Sequence, residues 1–192
     1  IDVPLTYFPE PFNGIEICSW LTYDSLFSTD NERPVSYPTT EIDRLRERFG
    51  LEPISISSEG WGLQRIKSLI KVGDQLVQAT LRTGDLARTL MTREKWDLFL
   101  LALAAPHRGG HKLWDVSGTY GHLGSREQEK FSHLMENLYV ACDKVVEQLI
   151  EVTTENTRII ICSLHGMKPN TKRPYILPKI LPCLLYTSDA AD

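Results

Sequence analysis

Two short runs of almost continuous apolar residues stand out against the polar pattern of the chain. The first apolar run covers residues 96–104 (WDLFLLALA), and the second apolar run covers residues 157–162 (TRIIIC). Short runs of this kind are typical of strands that are buried on both faces, as in a parallel sheet. A weaker strand is predicted at residues 14–20, where apolar and polar residues alternate after a proline-rich loop.

Between these runs, apolar residues recur at helical spacing. Helices are predicted over residues 39–50, 63–90 and 127–150. The second of them has Gly73 in its interior, where we expect an interruption, and residues 28–38 have the composition of a loop. Strand, helix and strand in this order predict an α/β fold, with a mainly parallel central sheet flanked by helices on both faces.

The composition of the chain argues against several classes of protein. Hydrophobic residues make up 42% and charged residues 24% of the 192 residues, which fits one globular domain. The net charge of −4 and the lack of a basic cluster argue against a nucleic-acid-binding patch. No apolar run approaches the roughly 20 residues of a membrane span. The four cysteines form no C-x-x-C pair, which favours reduced thiols.

Both ends of the sequence have the character of cut ends. Residue 1 is an isoleucine in what reads as a strand already in progress. Residues 183–192 (CLLYTSDAAD) can be back-translated into a library-preparation adapter. We therefore expect residues 1–182 to be a partial domain, incomplete at both ends, and residues 183–192 to be a non-native tail. The alternative is an ordinary polar C-terminal tail.

Histidines follow both apolar runs. His107 and His111 come after the first run, and His165 comes after the second. In open α/β sheets, ligands bind at the carboxyl ends of the strands. We expect Gly109 and Gly110 to form a loop that brings His107 and His111 together and lets the backbone approach a metal ion. Spacing alone leaves open both a metal site and two surface histidines in a turn.

Longer blocks around these histidines resemble a known family. They are DLFL at residues 97–100 leading to HRGGHKLW at residues 107–114, then Tyr139-x-x-x-Asp143, and IIICSLHGM at residues 159–167. Their order and spacing are similar to those of the type I phosphodiesterase/nucleotide pyrophosphatase branch of the alkaline phosphatase superfamily. The resemblance implies an alkaline-phosphatase-like fold and the metal-dependent hydrolysis of phosphate esters, in particular phosphodiesters.

The resemblance also implies a set of site residues. Members of this family hold two divalent metal ions, usually zinc, which stabilise the phosphoryl oxygens of an in-line displacement. His107 and His111 correspond to ligands of one ion and His165 to a ligand of the other. The Thr or Ser nucleophile belongs before residue 1, so we expect no measurable hydrolysis by the chain as given. Its substrates would be small phosphate esters or nucleotide-like molecules.

One residue departs from the family pattern. Leu164 occupies the position of an Asp that ligates the second ion, and leucine offers that ion no lone pair. Three explanations stay open: a genuine loss in a pseudoenzyme or binding domain that keeps the fold, a read error, or an ordinary turn in an unrelated α/β protein. A sulfatase or phosphomutase relative also fits, because the superfamily shares these ligand blocks across several chemistries.

Overall fold

The described part of the chain is mostly helical. A computed structural model describes residues 1–3, 12–18, 20, 35–49, 63–114, 125–163 and 166. Its elements in chain order are β1 Glu16–Cys18, β2 Val35–Tyr37, α1 Thr39–Phe49, α2 Leu63–Arg93, α3 Ala105–Leu113, α4 Ser125–Ser132 and α5 Leu134–Ile150.

The two strands form a small antiparallel sheet that leads into α1. Ile17 of β1 lies opposite Ser36 of β2. The position of β1 confirms the strand predicted at residues 14–20, whereas β2 falls in a segment that we had interpreted as a loop. The Ser36 hydroxyl donates to the Pro38 carbonyl and accepts the N–H of Ile42, at 2.7 and 2.8 Å. It therefore satisfies a donor in the first turn of α1.

α2 is one continuous helix of 31 residues, so the interruption predicted at Gly73 is wrong. A Cβ atom at Gly73 would lie 2.8 Å from the Cδ2 atom of Leu134 on α5. At Gly84, about three turns further along α2, it would lie 2.6 Å from the Cγ2 atom of Val145. Glycine is used at both positions because α2 and α5 pack closely, and not because the helix ends there.

The third predicted helix is present but divided. α4 and α5 meet at His133, which occupies the N-cap position of α5 without a side-chain capping bond. Its Nδ1 atom lies 2.8 Å from a carboxylate oxygen of Glu136, and both side chains are exposed. His133 is therefore a surface residue.

Neither apolar run forms a strand in the described structure, so the prediction of a mainly parallel sheet is not met there. Leu98 is 71% and Ile160 is 85% exposed. The physical reason is that an apolar run fixes a preference for extended structure, whereas a strand also requires a partner. The first apolar run has one backbone partner, Ile1. The Ile1 nitrogen donates to the Leu100 carbonyl, and the Ala102 N–H donates to the Ile1 carbonyl.

Candidate functional site

His107 and His111 lie one turn apart on α3 and face each other. Their Nε2 atoms are 3.1 Å apart, and the ring centroids are separated by 4.6 Å with the planes nearly perpendicular at 89°. Residues four apart lie on the same side of a helix, so the helix itself creates this pair. The loop that we predicted at these residues is wrong. Pro106 occupies the first turn, where proline favours helix initiation.

The distance between the two Nε2 atoms is compatible with a shared metal ion. Two nitrogen ligands about 2.05 Å from one tetrahedral zinc ion are about 3.3 Å from each other. The observed separation of 3.1 Å between the Nε2 atoms is close to that value. Both residues are exposed. Without an ion, the same distance permits a hydrogen bond in which one ring donates and the other accepts.

Two histidines are fewer ligands than a protein zinc site has. Within the described residues, no group of three or more His, Cys, Asp or Glu side chains is arranged to hold a metal ion. Leu164 and His165 lie outside the described residues, so the assignment of His165 as a ligand stays a prediction. The described structure supplies two of the three proposed metal-binding histidines and brings those two together.

Gly109 packs against α5 and does not form the loop that we predicted. A Cβ atom there would overlap the Cδ1 atom of Leu138 and lie 3.2 Å from the Sδ atom of Met135. Both of these residues belong to α5. Gly109 and Gly110 are buried, whereas His107 and His111 on the same helix are exposed. The glycines thus let α3 lie close against α5, and this contact holds the helix that carries the histidine pair.

The described cysteines are reduced thiols, and they differ in how deeply they are buried. Burial raises the pKa of the Cys142 thiol on α5 from 9.0 to about 11, which keeps it protonated at neutral pH. A protonated thiol is a poor nucleophile and a poor metal ligand. Cys162 is exposed, although it ends the second apolar run, for which we predicted a buried strand. Cys18 is half-buried in β1.

A shallow groove also lies between α2 and α5. Its lining includes Asp74, Val77, Asn137 and Lys144, and it does not include the histidine pair. Its lining mixes apolar and polar side chains, so the sequence pattern gave no signal for it.

A comparison with protein-family models decides the family. The model for "Type I phosphodiesterase / nucleotide pyrophosphatase" matches residues 16–187, which is most of the chain and includes α3. The chain belongs to this family. Membership suggests a hydrolase of the phosphodiesterase/nucleotide pyrophosphatase type that acts on small phosphate esters, in a family that is generally metal-dependent. The family also implies an alkaline-phosphatase-like α/β fold.

The other comparisons add no relative. No curated protein and no solved structure matches the chain. Among the described helices, none is both long enough and apolar enough to cross a membrane. The end of the native sequence near residue 182 stays a prediction.

Proposed function

We propose that the intact protein to which this chain belongs is a metal-dependent hydrolase of phosphodiesters or nucleotide pyrophosphates. The observation that carries the proposal is the histidine pair of α3, which lies within the residues matched by the family model. Its substrates are small phosphate esters or nucleotide-like molecules.

Two divalent metal ions, which we propose to be zinc, are the cofactors of this function. His107 and His111 would hold one ion, and His165 would contribute to the other. When bound, such ions withdraw charge from the phosphoryl oxygens. The two α3 imidazoles bind an ion only when they are neutral, so acid would release it. The contact of Gly109 with α5 fixes the helix and keeps both rings on one exposed face.

We also propose that the intact protein has a mainly parallel central sheet with helices on both faces. The contacts of Ile1 support it. The Ile1 nitrogen donates to Leu100 at 2.8 Å, and the Ile1 carbonyl accepts from Ala102 at 3.0 Å. Bonds from one residue to the two neighbours of its partner form the parallel pattern, here centred on Leu101.

Leu164 favours a second candidate, a non-catalytic protein that keeps the fold for binding. Two dications a few ångströms apart repel strongly, and carboxylate ligands reduce that repulsion. Leucine at this position removes a carboxylate that the family pattern supplies. The second ion would therefore bind weakly or be absent, and turnover would be lost.

Hydrolysis by the intact protein separates the two candidates. We would measure 4-nitrophenol release from bis(4-nitrophenyl) phosphate, 4-nitrophenyl phosphate and 4-nitrophenyl sulfate, with zinc and with EDTA. The proposed function predicts zinc-dependent turnover that favours the diester, and at least a 100-fold loss of kcat/KM in His107→Ala. His133→Ala is the matched control and should keep full activity, because His133 pairs with Glu136 on α5.

Three other outcomes would each contradict the proposal. If zinc, manganese and magnesium all fail to support turnover of any ester, the non-catalytic candidate is correct. If the sulfate ester is the preferred substrate, the reaction class is wrong. If His107→Ala and His133→Ala are equally active, the histidine pair is not part of the site.

A further inference from the structure

The helices α2 and α5 lie side by side and run in the same direction. Gly73 of α2 packs against Leu134 of α5, and Gly84 packs against Val145. These two contacts are 11 residues apart on either helix, so the helices keep one register over about 16 Å. The surface that they present together, on either side of the shallow groove, therefore has a defined order of side chains.

This surface has an apolar centre and charged ends. Val77 and Leu81 of α2 are half-buried in the lining of the groove, and Val140 of α5 is 47% exposed. The charged residues at positions 67–74 of α2 and 144–151 of α5 are all exposed: Lys67, Lys71, Asp74, Lys144, Glu147 and Glu151. Within the part of the chain that the structure describes, none of these six forms an ion pair. An apolar centre with a polar rim is the usual anatomy of a protein–protein interface.

The positions of Asp74 and Lys144 indicate which partner fits this surface. Asp74 lies on α2 near one end of the groove. Lys144 lies on α5 beside Thr83, about 14 Å further along the helix axes. A two-fold axis perpendicular to the groove exchanges the two helices and also the two ends. It therefore places Asp74 of each copy opposite Lys144 of the other copy.

The same axis matches the remaining charges. Going outward from Asp74, the next charged residues are Lys71 and Lys67, after three and four positions. Going outward from Lys144, they are Glu147 and Glu151, again after three and four positions. Lys71 thus meets Glu147 of the partner subunit, and Lys67 meets Glu151 of the partner subunit. Every one of these contacts joins opposite charges, which favours this arrangement over others.

We propose that this chain forms a symmetric, antiparallel homodimer through the exposed surface of α2 and α5. The 17 residues of α5 span about 26 Å, and two adjacent helices are about 20 Å wide. Each copy would then cover about 500 Å², or about 1,000 Å² in total, which is the lower limit for a specific interface. The dimer is therefore a weak one, with a dissociation constant in the micromolar range. It is independent of the proposed function, because no residue of the histidine pair takes part.

Sedimentation velocity of the 192-residue chain measures the dimer, in EDTA and a reducing agent. These additives prevent bridging by metal ions at the exposed histidines and by disulfides of the exposed Cys162. Asp74→Lys and Lys144→Asp should each weaken dimerisation at least tenfold, because each change occurs twice in the dimer and sets like charges opposite each other. Glu47→Lys on α1 and Lys95→Asp after α2 make the same charge changes at exposed positions outside the groove. Both control variants should dimerise as the wild type does.

An equimolar mixture of Asp74→Lys and Lys144→Asp provides the sharpest test. In a mixed dimer, a cation faces a carboxylate at both places, so the affinity should return to within threefold of the wild type. Recovery also shows that both variants are folded.

Four results would overturn the proposal. The first is a wild-type chain that stays monomeric up to about 200 µM, beyond the range of a weak specific dimer. The second is equal dimerisation of the wild type and the two groove variants. The third is a mixture that stays as weak as its components. The fourth is growth into larger assemblies, because a two-fold contact closes at two copies.

Discussion

Gly109→Ala would place a methyl group where α3 contacts α5. The new carbon would overlap the Cδ1 atom of Leu138, whose side chain is fully buried, and lie 3.2 Å from the Sδ atom of Met135. An ordinary carbon–carbon contact needs about 3.5–4.0 Å. A buried leucine has little space for another rotamer, so α3 and α5 must move apart.

Two opposing effects set the magnitude. Overpacking a core costs about 1–3 kcal/mol, while alanine in place of glycine stabilises a helix by about 0.8–1.0 kcal/mol. The net expectation for Gly109→Ala is a loss of about 1 kcal/mol of unfolding free energy. Leu138→Ala alone should cost about 2–5 kcal/mol, because it leaves a cavity. In that background the overlap is gone, so Gly109→Ala should stabilise by about 1 kcal/mol.

Urea denaturation of the wild type, both single variants and the double variant measures the coupling between the two sites. We expect the effects to depart from additivity by about 1–3 kcal/mol. Independent sites add to within about 0.5 kcal/mol. Additivity within that limit would refute the claim that Gly109 permits the close packing of α3 on α5.

Three further predictions concern the helical core. Arg93→Ala should cost about 1–3 kcal/mol in urea denaturation, because it removes the closer cation of the buried Glu41 carboxylate, at 2.6 Å, and leaves only Arg44 at 3.8 Å; an unchanged midpoint would contradict this. The free energy of unfolding should fall between about pH 9 and 11, because the unfolded chain loses the Cys142 proton first and then binds fewer protons than the folded chain. Cys142→Ala should remove that part of the slope, and an unaltered slope would show that the thiol does not contribute. Gly84→Ala should lower the Tm, because its methyl meets the stiff, fully buried Val145; a raised Tm would mean that the helices separate freely.

The helices that could be predicted from the sequence are those in which apolar residues recur regularly at helical spacing. α1 and α2 begin where the pattern begins, and α1 ends one residue before Gly50. The error at Gly73 has a different origin. A glycine in a helix has the same local signature whether the helix ends or a neighbour packs closely against it. Only the position of Leu134 on α5 distinguishes the two cases.

The errors elsewhere are of the same kind. Two adjacent glycines made residues 106–111 look like a loop, yet Pro106 and the contact of Gly109 with α5 favour helix α3. Tertiary packing here overrides a weak helix propensity. The two apolar runs contain residues that favour strands. A strand also needs a neighbouring strand to pair with, and the residue types do not show whether one is present. Cys162 ends the second apolar run and is exposed.

The candidate site was partly visible in the sequence. The sequence showed that His107 and His111 are four residues apart. The sequence blocks around them resembled the family that the comparison then showed. Spacing alone did not distinguish a helix from a loop, so the edge-to-face arrangement of the two rings came only from the structure. The contribution of His165 stays a prediction, because His165 lies outside the described residues.

Zinc binding by the 192-residue chain tests the central claim most directly. A competition titration with a chromophoric chelator should show zinc bound by the wild type, and His107→Ala and His111→Ala should each weaken it at least tenfold. His133→Ala should bind as the wild type does, because this histidine lies outside the pair. Equal zinc affinity in all four proteins would contradict the claim that the α3 histidines form a metal site.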